Sequence, residues 1–389
     1  MKIIYVSSLL PQSIIDAAFE KNKSVYSVAQ HLFNRNVVRG LKANGHDVTV
    51  LSYIDDSIIA ERQFNEDDLV YHFVKYNGSG LKKNFLTTHG IYKQIRKIQK
   101  STTVDAIICD VLNVSSCLGA LIASKRFHIP IVAIITDLMN IDSHVEKSLK
   151  IRLASLVNKN YIKRFDGYVL LTKYMNDVVN PLQKPFIVME GICSPEDRKP
   201  CKRGDDLFRL FYAGGRPSKD GLNFLIPAFK RINLKNIRLD VYGEMHGVEV
   251  GEDPDDDRIT YHGRAVNYVV REREFESDLL LNPRPVGERY TYYSFPSKVL
   301  EYMSTGIPML TTKLAGIPEE YFDYVYTIGG NSEEEYYAAL VKVLSLTPDE
   351  LMEKGQKAKS FALKNKNYVK QASRICELIK NQDHDTYSR

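Results

Sequence analysis

One segment of the sequence places two hydroxyls, an ammonium and a carboxylate at the spacing of a helix. Four polar residues stand at i, i+3, i+4 and i+7 and therefore share one helix face: Ser294, Ser297, Lys298 and Glu301. We predict that the helix opens near Ser294, with Ser294 or Ser297 as its cap and Pro296 in its first turn. The polar face then begins at the N-terminus of the helix.

This arrangement fits a nucleoside diphosphate. Free backbone N–H groups at a helix N-terminus attract phosphate, and Lys298 adds a cation in the first turn. Glu301 lies one turn further on, where its carboxylate can accept hydrogen bonds from the two vicinal hydroxyls of a ribose. A nucleotide diphosphate presents phosphate and ribose in this order.

The opposite face of the same predicted helix is apolar. Phe295, Val299 and Met303 stand at i, i+4 and i+8, and Gly306 followed by Pro308 ends the helix. An ordinary amphipathic helix with a solvated polar face has the same pattern. The residues alone therefore leave both interpretations open.

A second candidate is a glycine-rich turn between a predicted strand and a predicted helix, within Phe211–Phe229. Gly214 and Gly215 allow the backbone to come close to a ligand, and Arg216 and Lys219 are cations in the same loop. A tight turn without a ligand explains the glycines equally well.

Two further candidates follow predicted strands. Arg264 comes directly after Gly263, and it is either a ligand contact or a surface arginine. Asp137 follows the apolar run Pro130–Ile135, where its carboxylate can orient or deprotonate an acceptor hydroxyl. The alternative for Asp137 is a cap on the next helix.

Alternating strands and helices have to position these residues. Apolar strands alternate with helical stretches from Lys2 onward, which is typical of βαβ units and a doubly wound parallel sheet. The alternation stops in a segment rich in Pro, Gly and charge, residues 191–206, and then restarts. The sequence thus predicts an α/β protein with two Rossmann-like domains that face each other across a cleft.

The predicted boundaries follow from these changes in composition. Residues 1–190 form the first domain, 191–206 a linker and 207–365 the second domain. Residues 366–389 form a C-terminal helix that we expect to return to the first domain. Because ligands of such sheets bind at the carboxyl ends of the strands, the candidate residues lie where a site is expected.

The segment 279–312 resembles the nucleotide-sugar site of GT-B glycosyltransferases, specifically the retaining family 4 (group 1). Ser294-Phe295-Pro296 matches the Gly-Phe-Pro part of the motif, and Glu301 matches its second Glu. The first Glu of the motif falls on Tyr293, and Thr136 stands where many members have a His before Asp137. The form YSFPSKVLEYMSTG is similar to that of bacterial capsular and exopolysaccharide enzymes.

The resemblance implies roles for the candidate residues. Asp137 and Lys298 are then catalytic, and the remaining candidates bind the donor: Gly214, Gly215, Arg216, Lys219, Arg264, Ser294, Phe295, Pro296, Ser297, Val299 and Glu301. Glu288 or Arg284 is a candidate to replace the missing Glu at the donor sugar.

The resemblance also implies an activity. The chain is expected to transfer a sugar from a nucleotide-diphosphate sugar to a saccharide acceptor, carried by a polyprenyl lipid, with retention of configuration and without cofactor or metal. Two other functions stay open: a non-catalytic GT-B partner subunit and a sugar-nucleotide epimerase. A dehydrogenase is disfavoured, because no G-x-G-x-x-G follows Lys2–Ser8 or Leu207–Ala213.

Metal and disulfide sites are not expected. The five cysteines contain no C-x-x-C pair, which favours buried thiols in a reducing compartment. The acidic run Asp253–Asp257 precedes a predicted strand and is interpreted as a solvated turn rather than a metal site.

Composition suggests a cytoplasmic protein with a basic first half. The 389 residues carry a net charge of +5, with +7 in residues 1–195 and −2 in the rest. This bias favours an anionic partner, and with the resemblance we expect a membrane surface rather than a nucleic acid. The basic amphipathic segment 144–165 is the predicted contact, with a core helix as the alternative.

Overall fold

The chain folds into two α/β units in a computed structural model. The first unit comprises Met1–Ile192 and Tyr368–Arg389, and the second comprises Cys193–Asn367. The structure describes ten stretches of the chain: residues 1–15, 28–55, 63–66, 68–76, 79–138, 160–195, 198–201, 204–214, 220–243 and 249–386.

The first unit is built on an eight-stranded sheet with the order β3-β4-β2-β1-β5-β6-β7-β8. All neighbouring strands are parallel except the edge pair β3 and β4. In chain order its elements are β1 Lys2–Ser7, α1 Val28–Ala43, β2 Asp47–Asp55, β3 Gln63–Glu66, β4 Leu69–Tyr76, α2 Gly80–Ser101, β5 Ala106–Asp110, α3 Val114–Phe127, β6 Ile131–Ile135, β7 Gly167–Leu170, α4 Tyr174–Val179 and β8 Phe186–Val188.

The second unit repeats this plan with seven strands in the order β11-β12-β10-β9-β13-β14-β15. Again only the edge pair, β11 and β12, is antiparallel. Its elements are β9 Phe208–Ala213, α5 Leu222–Lys230, β10 Ile237–Tyr242, β11 Gly251–Asp253, β12 Asp256–Gly263, α6 Asn267–Phe275, β13 Leu279–Asn282, a 3₁₀ turn Arg289–Tyr292, α7 Ser297–Thr305, β14 Met309–Thr312, a 3₁₀ turn Glu319–Asp323, β15 Tyr326–Ile328, α8 Glu333–Leu344 and α9 Pro348–Asn365.

The strands are apolar because both faces of each sheet are covered. Every residue of β5, β6 and β13 is buried, as expected for central parallel strands. In the second unit one core includes Leu210, Leu225 and Leu340, and the other includes Phe211, Val299 and Phe361. The predicted α/β class and the two Rossmann-like sheets are confirmed.

The last helix, α10 Tyr368–Thr386, belongs to the first unit. Its residues Ala372 and Ile375 lie in the same core as Val37 and Leu41 of α1. A Cβ built on Gly40 would lie 2.1 Å from the carbonyl oxygen of Tyr368, so the close approach of the two helices requires a glycine there.

Both sheets reverse their strand order at one point. In the first unit the chain moves outward in opposite directions from β1 and β5, and in the second unit from β9 and β13. Such a switch point leaves a crevice at the carboxyl ends of two neighbouring strands, where ligands of doubly wound sheets bind.

Candidate functional site

Helix α7 begins later than the sequence indicated. It starts at Ser297, with Pro296 at the N-cap position and no side-chain cap. The prediction that Ser294 or Ser297 caps this helix is wrong. The Ser294 hydroxyl donates instead to the carbonyl oxygen of Tyr290 at 3.0 Å, and Ser297 is the first helical residue and exposed. The helix ends at Gly306, whose φ of +86° suits a residue without a side chain.

The apolar face of α7 anchors the helix to its sheet. Phe295, Val299 and Met303 are buried, and Pro296 is buried beside them. A Cβ on Gly316 would lie 2.2 Å from the Ser294 carbonyl oxygen, so the loop after β14 packs directly on the start of this segment. The polar face is thereby held outward at the helix start.

Lys298 and Glu301 lie within a network of four charges. The Lys298 ammonium is 2.9 Å from Glu274 Oε1 and 3.1 Å from Glu301 Oε1. Arg271 forms an ion pair with Glu274 and lies 3.4 Å from Glu301 Oε1. Two cations and two carboxylates balance, so the network carries no net charge.

Burial in this network is uneven. The Glu274 side chain is fully buried, whereas those of Lys298 and Glu301 are 26% and 27% exposed. Burial, followed by the charge of Glu301, raises the pKa of Glu274. Burial alone would lower the pKa of Lys298, but the carboxylates of Glu301 and Glu274 outweigh it and raise the pKa. The ammonium therefore stays charged.

The contacts leave specific atoms available to a ligand. Both contacts to Glu301 engage Oε1, and within the described ranges Oε2 has no hydrogen-bond partner. A lysine ammonium has three N–H donors, and Glu274 and Glu301 use two of those on Lys298. One ammonium donor in the first turn of α7 and one carboxylate oxygen a turn later are thus without a hydrogen-bond partner among the described residues.

Two tightly packed glycines follow β9, one strand of the switch point, and its neighbour β10. Gly214 follows β9, and Gly243, which follows β10, has a φ of +126°. A Cβ on Gly243 would lie 1.7 Å from the Gly214 carbonyl oxygen, so no other residue fits at Gly243 without a shift of the backbone.

A second polar group lies beside these glycines. The Tyr212 hydroxyl donates to Asp220 Oδ2 at 2.9 Å, and Arg284 Nε lies 3.3 Å from Asp220 Oδ1. Arg284 follows β13, the other strand of the switch point, and its side chain is 31% exposed. Of the two residues considered as substitutes for the missing Glu, Arg284 is thus fixed by a buried carboxylate, whereas Glu288 is exposed.

The structure describes some of the remaining candidate residues but not others. Gly215, Arg216 and Lys219 lie outside the described residues. Arg264 is exposed and follows Gly263, which ends β12 with a φ of +66°. Asp137 lies in the first unit, exposed, two residues beyond the end of β6.

Sequence reasoning missed Glu274 and Arg271. Their i, i+3 spacing within NYVVREREF was visible, but a charged helix is usually a solvated one. Only the packing of α6 beside α7 shows that the Glu274 carboxylate is buried against Lys298.

Two carboxylates of the acidic run Asp253–Asp257 form ion pairs. Asp253 lies 2.8 Å from Lys230, and Asp256 lies 2.6 Å from Arg258. Nowhere in the described stretches do three potential metal ligands come together.

The structure describes only a small part of the segment that was predicted to contact a membrane. Most of the segment 144–165 lies outside the described residues. None of the helices in the described part of the chain is long and apolar enough to span a bilayer.

The second unit matches a known family. Residues 208–346 match the family model described as glycosyl transferases group 1, a span that contains all four members of the charge network. No curated protein matches the sequence.

Solved structures resemble the whole chain. Sucrose-phosphate synthase from Thermosynechococcus elongatus superposes with a TM-score of 0.68 at 15% identity, covering 99% of this chain and 100% of the other. The Anabaena protein HepE in complex with UDP-glucose has a TM-score of 0.59 at 12% identity, covering 98% and 100%. The apo lipopolysaccharide outer core galactosyltransferase WaaB has a TM-score of 0.61 at 14% identity, covering 98% and 100%. These likenesses establish the GT-B fold.

Proposed function

We propose that this chain, a glycosyltransferase whose residues 208–346 match the group 1 family, transfers a sugar from a nucleoside diphosphate sugar to a saccharide acceptor. The observation that carries the proposal is the oriented carboxylate of Glu301. Lys298 and Arg271 both contact Oε1, while Oε2 has no hydrogen-bond partner in the described part of the chain. A carboxylate fixed in this way suits the vicinal hydroxyls of a ribose.

The diphosphate then lies at the N-terminus of α7. The backbone N–H groups of the first turn and the third donor of Lys298 contact its oxygens. Arg284, held by Asp220 beside the same switch point, supplies a further cation, and we assign Arg216 and Lys219 to the diphosphate as well. Positive groups aimed at the leaving nucleotide stabilise the charge that develops as the glycosidic bond breaks.

We assign the other candidate residues to contacts with the remaining parts of the donor and with the acceptor. Gly214 and Gly215 allow the backbone to approach the donor, and the backbone near Arg264 contacts the base. Asp137 orients or deprotonates the acceptor hydroxyl. No cofactor or metal is required in this scheme.

The nature of the acceptor is proposed from the sequence motif and from the solved structures. The motif YSFPSKVLEYMSTG is similar to that of capsular and exopolysaccharide enzymes, and WaaB is an outer core galactosyltransferase. We assign the chain to surface polysaccharide synthesis on a lipid-linked acceptor at the inner face of the membrane. We favour attack from the face that the leaving nucleotide vacates, which retains the anomeric configuration.

Calorimetric titration of the full chain with UDP, UDP-glucose and the corresponding GDP, ADP and TDP compounds tests the donor site. We expect at least one sugar nucleotide to bind, and to bind more weakly to Glu301→Ala than to wild type. Glu320→Ala is the matched control, because this carboxylate also pairs with a lysine of the second unit but lies outside the site.

The result that would overturn the proposal is unchanged binding by Glu301→Ala, or binding of none of these compounds. For a donor that binds, NMR of the transfer product then reports the anomeric configuration, and inversion would refute front-face attack.

A further inference from the structure

Helix α2 in the first unit is unusually basic. Its 22 residues contain no Asp or Glu. They contain six cations: Lys82, Lys83, Lys93, Arg96, Lys97 and Lys100. All except Lys83 are exposed, and none forms an ion pair with a carboxylate of the described residues. This helix therefore presents a strong local positive charge.

The charges follow one face of the helix. Thr87, Ile91, Ile95 and Ile98 are buried and point to the body of the unit. The residues on the opposite side stand at i, i+3, i+7, i+11, i+14 and i+18 and form what we name the α2 outward face: Lys82, Phe85, His89, Lys93, Arg96 and Lys100. At 1.5 Å per residue this face is about 27 Å long.

Two large apolar side chains are exposed at the start of this helix. Leu81 is 87% exposed and Phe85 is 70% exposed. Exposed apolar side chains do not add to the solubility of the helix. Leaving each of them in water costs about 2 kcal/mol of free energy relative to burying it. An apolar tip followed by a row of cations is typical of helices that rest on a membrane interface.

We propose that the α2 outward face docks on an anionic lipid bilayer, with its Phe85 and the adjacent exposed Leu81 inserted among the acyl chains. The row of cations alone would suit any polyanion, including a nucleic acid. The exposed apolar pair favours a bilayer, because it gains burial only in an apolar medium. The surface lies wholly within the first unit and does not depend on the donor site.

The sequence offers a direct probe, because the chain contains no tryptophan. Phe85→Trp in the full chain places a single indole at the proposed insertion point. We expect its fluorescence to shift to the blue with vesicles that contain phosphatidylglycerol, and to be quenched by brominated acyl chains. Met352→Trp is the control, because Met352 is 55% exposed on α9 of the second unit. Its emission should not change.

Charge reversal tests the electrostatic part by vesicle sedimentation. Lys93→Glu/Arg96→Glu should weaken binding at least about 30-fold, since each cation near an anionic surface contributes about fivefold. Lys357→Glu/Lys364→Glu changes the net charge equally on exposed positions of α9 and should bind as wild type. Binding should fall as salt rises from about 0.1 M to about 1 M, where the Debye length shortens from about 10 Å to about 3 Å.

Several results would overturn the proposal. They are vesicle binding with no change at Phe85→Trp, equal binding to phosphatidylcholine vesicles, equal loss in the α9 control, or binding to polyuridylate without binding to lipid. Circular dichroism of each variant establishes that it is folded. The vesicle experiments measure no sugar transfer, so a negative result would not contradict the proposed donor site. A failure to bind sugar nucleotides would likewise not affect the vesicle experiments.

Discussion

The two units share the strand order around their switch points, but they differ in how the charged side chains there are paired and exposed. In the first unit the buried carboxyl group of Asp110, at the end of β5, has uncharged side-chain partners within the described residues. Asn34 donates to it at 2.8 Å, and Tyr5 in turn donates to Asn34 at 2.5 Å. Gln30 also donates to Asp110 and accepts from Thr136 at 3.2 Å.

The second unit places balanced charges near its own switch point. Arg284 pairs with Asp220, and the α7 network joins two cations to two carboxylates. Several of these side chains remain about a quarter exposed, so a ligand can reach them. In the first unit, burial raises the pKa of Asp110 against the hydrogen bonds from Asn34 and Gln30.

The comparison indicates why topology alone does not place a ligand. A buried carboxyl group whose hydrogen bonds are made to neighbouring side chains has little surface for a ligand, whereas partly exposed, oriented charges can bind a charged ligand. We therefore assign the nucleotide to the second unit. The predictions below test this difference, from the largest expected effect to the smallest.

Loss of the buried carboxylate should damage stability most. Glu274→Ala leaves Lys298 and Arg271 with one carboxylate between them, and we expect the free energy of unfolding of the second unit to fall by about 4 kcal/mol. Urea titration measures this. Glu320→Ala, which removes a half-exposed partner of Lys366, should cost less than about 1 kcal/mol. Equal effects would contradict the structural role of Glu274.

Loss of Lys298 should damage catalysis. Lys298→Ala removes a cation from the leaving diphosphate, and we expect kcat/KM to fall about 10²–10³-fold, or about 3–4 kcal/mol. Lys230→Ala is the matched control, because Lys230 also lies between two carboxylates, at 2.8 Å from Asp253 and 3.3 Å from Asp255. Steady-state kinetics with the donor identified by titration should show near wild-type values for the control. A near wild-type value for Lys298→Ala would remove it from the site.

The first unit should respond to acid through a buried histidine. Burial, helped by the charge of Arg35, lowers the pKa of His31 from 6.5 to about 4. Between pH 6.5 and about 4 the unfolded chain therefore binds a proton at His31 that the native state does not bind. The free energy of unfolding has its full value above pH 6.5 and decreases as the pH falls toward 4. The loss should reach about 3 kcal/mol. His31→Gln should flatten this slope in urea titrations, and an unchanged slope would show that another group causes it.

Loss of Glu301 should give the smallest of these effects. Glu301→Ala removes a charged acceptor from the ribose but leaves the diphosphate contacts, so donor KM should rise about 30-fold, or about 2 kcal/mol, with little change in kcat. Glu301→Gln should recover part of the loss, because its amide oxygen still accepts a hydrogen bond. A fall in kcat without a rise in KM would contradict the ribose assignment.

The sequence by itself determined the architecture and the central segment of the site. Strand–helix alternation predicted two doubly wound units because periodicity follows from burial on both faces of a parallel sheet. The helical spacing of Lys298 and Glu301 placed them on one face of α7, and their contact bears this out. Gly306 was recognisable as the end of the helix because a positive φ favours glycine.

The capping rule failed at Ser294 because another nearby acceptor engages the same hydroxyl. Ser294 is a suitable cap by residue type, but its hydroxyl donates to the carbonyl oxygen of Tyr290 in the preceding 3₁₀ turn. The helix therefore begins at Ser297 without a side-chain cap. A capping rule based on residue type does not tell whether the hydroxyl engages the helix or the preceding turn.

Tertiary structure alone decided which charges act together. Glu274 and Lys298 are 24 residues apart, and nothing in either helix shows that they meet at 2.9 Å. The pairing of Asp220 with Arg284 likewise depends on β9 and β13 being neighbours. Burial and pairing of charges are properties of packed elements, because the free energy of a buried carboxylate depends on groups that only the fold brings to it.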